Sequence, residues 1–172
     1  MHKVSSDGGG VIRIQAWDIA APVPERVVHL LGLSWPRETG TVQSGRLSGT
    51  VICVGPSEWL ILHPESDDGN LLIELNTAFV GSCYRATDVS QALLCVQITG
   101  NASHRVLGKG CCLDLDRGVF RVGSAAPTRM AGIPVVVWRT GEVSFECLLA
   151  RSYGEYFRAW LDDAALEFQG VA

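Results

Sequence analysis

The sequence predicts an α+β protein with mainly antiparallel or mixed sheets and three to four helices. Three observations carry that reading. Short runs rich in β-branched and aromatic residues recur, each bounded by Gly, Pro or Ser. Segments with apolar residues at helical spacing interrupt them. The second half then repeats the order of the first, so the chain looks loosely duplicated.

The elements follow in order. Residues 1–10 read as a flexible leader, because Ser5 to Gly10 is polar and glycine-rich. Val11 to Trp17 alternates as a strand does, and Pro22 to Pro24 open a helix that carries Val27, Val28, Leu30 and Leu31 and stops at Gly32. Thr41 to Leu47, Thr50 to Val54 and Glu58 to His63 read as a β-meander punctuated by Ser48-Gly49 and Gly55-Pro56-Ser57. Asp67 to Asn70 caps a helix whose Leu71, Leu72, Leu75, Ala78 and Phe79 share a face, with Gly81 as its end.

The second passage begins with strands Cys83 to Val89 and Ala92 to Thr99, followed by a helix capped by Asn101 and closed by Gly108 and Gly110. Thr128 to Met130, Ile133 to Arg139 and Val143 to Ala150 are further strands, the last two joined as a hairpin through Thr140-Gly141-Glu142. Ser152 to Glu155 has the form of a capping box. It opens a helix in which Tyr153, Tyr156, Phe157, Trp160, Leu161 and Ala164 repeat at helical spacing. Residues 11–172 are expected to form a single domain, with two lobes at about 11–90 and 91–172 as the alternative division.

Composition excludes several functions. The net charge is −4, which lacks the basic footprint of a nucleic-acid binder. No apolar stretch reaches the ~20 residues of a membrane helix, and the polar start lacks the apolar core of a signal peptide, so a cytoplasmic location is expected. Cys53, Cys83, Cys95, Cys111, Cys112 and Cys147 show no metal-ligand spacing and read as reduced thiols, mostly in the core. Arginine far outnumbers lysine, which suits desolvated contacts between subunits.

The search for chemistry returns structural readings. Gly108-Lys109 lacks the rest of a phosphate loop and lies at a helix exit, where the macrodipole repels phosphate. Gly8-Gly9-Gly10 precedes a strand rather than a helix. Cys111 or Cys112 with His104 is the one tempting nucleophile pair, with Lys109 and Arg105 nearby in sequence, but a helix C-terminus raises a thiol pKa. His2, His29, His63 and His104 are scattered, and His29 reads as a core or boundary residue. Asp88, Glu58 and Asp114 each stand at a junction and read as turn or capping carboxylates, although Asp88 could act as a base or hold a substrate amine. No catalytic, cofactor-binding or metal residue is assigned.

Gly55-Pro56-Ser57-Glu58-Trp59-Leu60-Ile61-Leu62 is similar to a G-P-x-E-W-L-L segment of the gamma chains of heterotetrameric sarcosine oxidase. It is similar, more loosely, to the folate-binding aminomethyltransferase superfamily. Thr87 to Ser90, Leu107 to Leu115, Ala131 to Val135, Trp138 to Gly141 and Arg151 to Tyr153 extend the resemblance in order, so that it covers about Gly55 to Leu161. The resemblance implies a folate-binding aminomethyltransferase-like fold. It also implies a non-catalytic gamma subunit of a cytoplasmic heterotetramer that oxidatively demethylates sarcosine to glycine, passes the one-carbon unit to tetrahydrofolate and produces hydrogen peroxide. Its partners would be alpha, beta and delta subunits, and FAD, FMN, NAD and tetrahydrofolate would belong to them, none to this chain. The alternatives are a stand-alone folate or one-carbon binding domain, and the small subunit of a related heteromeric amine oxidase or dehydrogenase. A chain that docks on partners is expected to expose much apolar surface when isolated.

Overall fold

The computed structural model describes residues 2–5, 9–18, 20–45, 49–64 and 70–168. The chain divides into two units, one spanning Asp7–Gln91 and the other Ala92–Ala172 together with Met1–Ser6. The first strand, β1 (His2–Ser5), belongs to the second unit.

In the unit Asp7–Gln91 the order is β2 (Gly9–Ala16), α1 (Glu25–Leu31), β3 (Val42–Ser44), β4 (Thr50–Gly55), β5 (Glu58–Pro64), α2 (Asn70–Ala78) and β6 (Tyr84–Asp88). The strands pair antiparallel in the order β3-β4-β5-β2-β6. Strand alternation sends Ile12, Ile14, Val51, Cys53, Trp59, Ile61, Tyr84 and Ala86 to one face, where they pack with Val27 and Leu31 of α1 and Leu75 and Ala78 of α2. Gly32 ends α1 in the left-handed region (φ 62°), with its N–H bonded to the Val28 carbonyl, so this stop is a glycine for conformational reasons. The cap expected at Asp67 to Gly69 lies outside the described residues. Asn70 is the first residue of α2 and its Nδ2 donates to Glu74 Oε1 at 2.8 Å.

The other unit contains β7 (Leu93–Thr99), α3 (Ser103–Gly108), β8 (Ala125–Met130), β9 (Ile133–Gly141), β10 (Ser144–Ala150) and α4 (Gly154–Ala165). Its antiparallel order is β1-β7-β10-β9-β8. Leu94, Val96, Ile98, Val135, Val137, Phe145, Cys147 and Leu149 meet Val106 and Leu107 of α3 and Phe157, Leu161 and Ala164 of α4.

The duplication is topological. Matching β2, β3, β4, β5 and β6 to β7, β8, β9, β10 and β1 makes the two strand orders identical, with the helices in equivalent places. Each unit is a split β-α-β-β-α-β sandwich with one added edge strand. They differ in where the strand beside β2 or β7 comes from: β6 follows α2, whereas β1 precedes everything else.

Several expectations are corrected. The leader contains regular strand, since His2–Ser5 pairs with β7 and Gly9 and Gly10 pair with Pro64 and His63. Edge backbone needs partners more than it needs apolar side chains. Asn101 does not cap α3: a turn closed by the Ser103 N–H on the Gly100 carbonyl starts it, with Ala102 at the cap position. The Ser152–Glu155 box forms no side-chain cap, because Arg151–Tyr153 is a 3-10 turn that satisfies the entry to α4 with backbone bonds. Lys109 takes the cap position of α3 in a right-handed conformation, so Gly108 and Gly110 are not its terminators by φ.

Candidate functional site

Two of the segments singled out by the sequence, Leu107 to Leu115 and Ala131 to Val135, meet in the unit that holds α4, whereas Gly55 to Leu62 and Thr87 to Ser90 lie in the other. Lys109 Nζ donates to the Ala164 carbonyl at 2.6 Å, pairs with Glu167 at 3.1 Å and lies 5.0 Å over the Phe168 ring. Arg105 sits over the same ring at 4.7 Å. Lys109 is thus placed on a carbonyl of the last turn of α4, where the helix dipole favours a cation. Gly110 accepts the Ala131 N–H through its carbonyl at 2.9 Å, Cys111 bridges to Met130, and Tyr156 Oη donates to the Ala131 carbonyl at 2.8 Å. The motif stretches Leu107 to Leu115 and Ala131 to Val135 are therefore two sides of one joint beneath α4.

Cys111 Sγ faces Thr128 Oγ1 at 3.8 Å, and Cys112 is exposed. Burial pushes the Cys53 and Cys147 thiols up and the Cys95 thiol to about 12, so these three are protonated at neutral pH. Cys53 and Cys147 are buried, whereas Cys83, Cys95 and Cys111 are half-buried, so the expectation of mostly core thiols holds for two of the six.

The acids and histidines have structural occupations too. Asp88 accepts the Ser90 N–H at 2.8 Å and the Ser90 hydroxyl at 2.5 Å, and these bonds hold its carboxyl below the usual range. An acid so stabilised is a poor base at neutral pH. Glu58 pairs with Arg13 at 3.0 Å, and Asp114 accepts the Asp116 N–H at 2.9 Å in an Asx turn. His29 is exposed in the last turn of α1, not a core or boundary residue, because the apolar face of that helix passes through Val27 and Leu31 instead. Among the described residues no group of His, Cys, Asp and Glu could hold a metal ion.

Two features escaped sequence reasoning. Arg139 is 1% exposed, and its guanidinium donates to the carbonyls of Phe120 at 2.7 Å, Glu142 at 2.7 Å, Gly141 at 3.3 Å and Leu115 at 3.4 Å. It also lies 5.1 Å over the Phe145 ring. Its only signal in the sequence is its parity with the inward-facing Val135 and Val137.

The second is a small cavity of about 70 Å³ in the unit Asp7–Gln91, lined among others by Val23, Trp35, Arg37, Pro56, Trp59 and Tyr84. Trp35 and Trp59 stand 5.2 Å apart and Trp59 and Tyr84 6.0 Å apart, as tilted pairs. Trp59 Nε1 donates to the Pro36 carbonyl and Tyr84 Oη to the Ala21 carbonyl, both at 2.7 Å. Trp35 Nε1 is buried without a hydrogen-bond partner, an arrangement that costs about 1–3 kcal/mol. Burial raises the Tyr84 phenol and so keeps it a donor. Pro56 and Trp59 belong to the Gly55-to-Leu62 motif, yet nothing in their spacing announces the loop residues Trp35 and Arg37 beside them.

Large apolar side chains are exposed in both units: Trp17 (71%), Ile73 and Val80 in one, and Val119, Val122, Tyr153, Tyr156 and Leu166 in the other. Of the aromatic residues of α4 only Phe157 is fully buried, so the broad face expected to be covered is covered along one side only. No helix among the described residues is long and apolar enough to cross a membrane.

Comparison with known proteins places these motifs in a family. The chain is 37% identical over 143 residues to the sarcosine oxidase subunit gamma of Corynebacterium sp. (strain P-1), covering 83% of this chain and 69% of that one. It is 36% identical over 138 residues to the subunit of the same name from Arthrobacter sp., covering 80% and 67%. Among solved structures it superposes on a chain of the heterotetrameric sarcosine oxidase of Corynebacterium sp. U-96 with a TM-score of 0.89, at 28% identity over 100% of this chain and 86% of that chain. The glycine cleavage system aminomethyltransferase T of Bartonella henselae shares the fold (TM-score 0.63, 11% identity), with 89% of this chain matching 43% of that one. The family described as sarcosine oxidase, gamma subunit, matches residues 16–167, and the chain belongs to it.

Proposed function

We propose that this chain is the gamma subunit of a heterotetrameric sarcosine oxidase and that it supports the assembly without supplying a catalytic group. The observation that carries the reading is the family match over residues 16–167, joined to a whole-chain superposition on a chain of such an enzyme. The site geometry agrees: Lys109, Asp88, Glu58 and Asp114 are each engaged in holding a turn, a helix end or a sheet. The exposed Trp17 and Tyr156 are of the kind enriched at subunit interfaces, and Val80 and Leu166 add exposed apolar surface. In this reading the partners are the alpha, beta and delta subunits in the cytoplasm, and FAD, FMN, NAD and tetrahydrofolate belong to them. The complex demethylates sarcosine to glycine, passes the one-carbon unit to tetrahydrofolate and releases hydrogen peroxide.

The test is affinity purification of the tagged chain from its native source. Recovery with flavin-absorbing partners in fixed ratio is expected, and recovery only as a free monomer would overturn the proposal. A calorimetric titration of the isolated chain with tetrahydrofolate is expected to show no heat of binding, whereas micromolar binding would favour a stand-alone folate domain.

A further inference from the structure

We propose that the cavity between Trp35, Trp59, Tyr84 and Arg37 is a binding site for a compact carboxylate, either a small free acid or an aspartate or glutamate side chain presented by a docked chain. Four observations lead there. First, Arg37 has no ion-pair partner among the described residues, although its charge is felt at Tyr84 on the cavity wall. Second, Trp35 Nε1 is a buried donor with nothing to donate to, in a ring that lines the same cavity. Third, the other polar groups of the wall are committed, since Trp59 Nε1 and Tyr84 Oη both donate to backbone carbonyls. Among its side chains the wall therefore holds donors without partners and no carboxylate. Fourth, no acid lines the space: Asp18, which is near enough to act on Tyr84, is not among the lining residues and accepts the Ala20 N–H at 3.0 Å.

Size and shape narrow the ligand. A cavity of about 70 Å³ has room for a few water-sized groups, which matches a carboxylate on one or two carbons and excludes a nucleotide or a folate. A guanidinium fork and one N–H match the planar carboxylate, whereas a tetrahedral phosphate dianion needs more donors than these. The aromatic walls suit the short apolar stem. The guanidinium in turn repels a cation that the ring faces would otherwise attract.

The experiment is a titration of the full chain with sodium acetate, read by tryptophan fluorescence, with sodium chloride at matched ionic strength as the control. A saturable response to acetate and none to chloride is expected if the source is a free acid. Arg37→Ala should weaken it about tenfold, the worth of one charge-assisted contact. Trp35→Phe keeps the ring, removes only the N–H, and should weaken it less. Arg37 is exposed, so a melting temperature equal to the wild type's separates lost binding from lost folding. A second arm rests on the subunit reading: if acetate gives no saturation but Arg37→Ala and Trp35→Phe lower recovery with the partner subunits, the carboxylate is a partner's side chain. The proposal falls if acetate does not saturate and recovery with partners is unchanged by both substitutions. It falls equally if acetate does not saturate and the wild-type chain recruits no partner, a result that also defeats the subunit reading. A saturating acetate response in a chain that recruits no partner would uphold the pocket and defeat that reading alone.

Discussion

Gly110 lies flush against the indole of Trp160: a Cβ built on it would stand 2.4 Å from Trp160 Cζ2 and 3.0 Å from the Ala131 backbone nitrogen. Since φ at Gly110 is not positive, the glycine is there for space rather than for conformation. It lets the loop after α3 pass between α4 and the Ala131-Gly132 turn, and Trp160 then stacks on Phe157 at 5.7 Å. Gly110→Ala is expected to lower stability by about 1–3 kcal/mol through overpacking. Urea unfolding checks this, and a wild-type midpoint for the alanine variant would refute the contact.

Arg139 should be the most sensitive charged residue. It ties the Leu115 and Phe120 carbonyls to the β9-β10 turn at Gly141 and Glu142, all from a buried position. Arg139→Met removes the shared donor and leaves several carbonyls unmet, for an expected loss of about 2–4 kcal/mol. The measurement is a thermal melt. Arg117→Ala, whose exposed pair with Glu142 spans 3.5 Å, should by contrast stay within about 1 kcal/mol of wild type.

The pH dependence of stability should carry a signature of Glu146. Burial raises its carboxyl above the usual glutamate range, while the Cys95 thiol 3.6 Å away lowers it in part. A pKa raised on folding means that folding favours the protonated form. Its contribution is complete below the unfolded value of about 4.3, and it is lost as pH rises through the folded value. Glu146→Gln should therefore melt higher than wild type near about pH 8, with the difference shrinking toward about pH 4. Parallel melting curves across that range would refute the assignment.

Thiol reactivity should follow exposure rather than motif. Cys112 is exposed, whereas Cys53 and Cys147 are buried with raised pKa values. Iodoacetamide at neutral pH is expected to label Cys112 first and to reach Cys53 and Cys147 only on unfolding. Peptide mass spectrometry of a labelling time course decides it.

Removal of residues 1–6 should open a sheet edge. The backbone of β1 pairs with β7 from His2↔Ile98 to Ser5↔Cys95, and without it that edge has no neighbour. Faster amide exchange across residues 95–98 and a greater tendency to aggregate are expected. Unchanged exchange there would show that β1 is dispensable.

Local pattern alone determined a good deal of this protein: the α+β class, the alternating strands β2, β7 and β9, the α1 stop at Gly32, the duplicated order of elements and the motifs that mark the family. Those features depend on neighbours in the chain, where alternation, helical spacing and left-handed glycine act directly. Tertiary structure decided the rest. The place of β1 beside β7 depends on a backbone partner some ninety residues away, as the pairing His2↔Ile98 shows, and polar leader residues do not announce it. The capping box before α4 lost to a 3-10 turn because backbone bonds were available once β10 ended there. Arg139 could be recognised as buried only when the distant carbonyls of Leu115 and Phe120 joined those of the adjacent Gly141-Glu142 turn around it. Trp35, Arg37, Pro56, Trp59 and Tyr84 likewise became one cavity wall only when a loop, a turn and two strands were folded together, because a binding surface is a relation between segments and no single segment contains it.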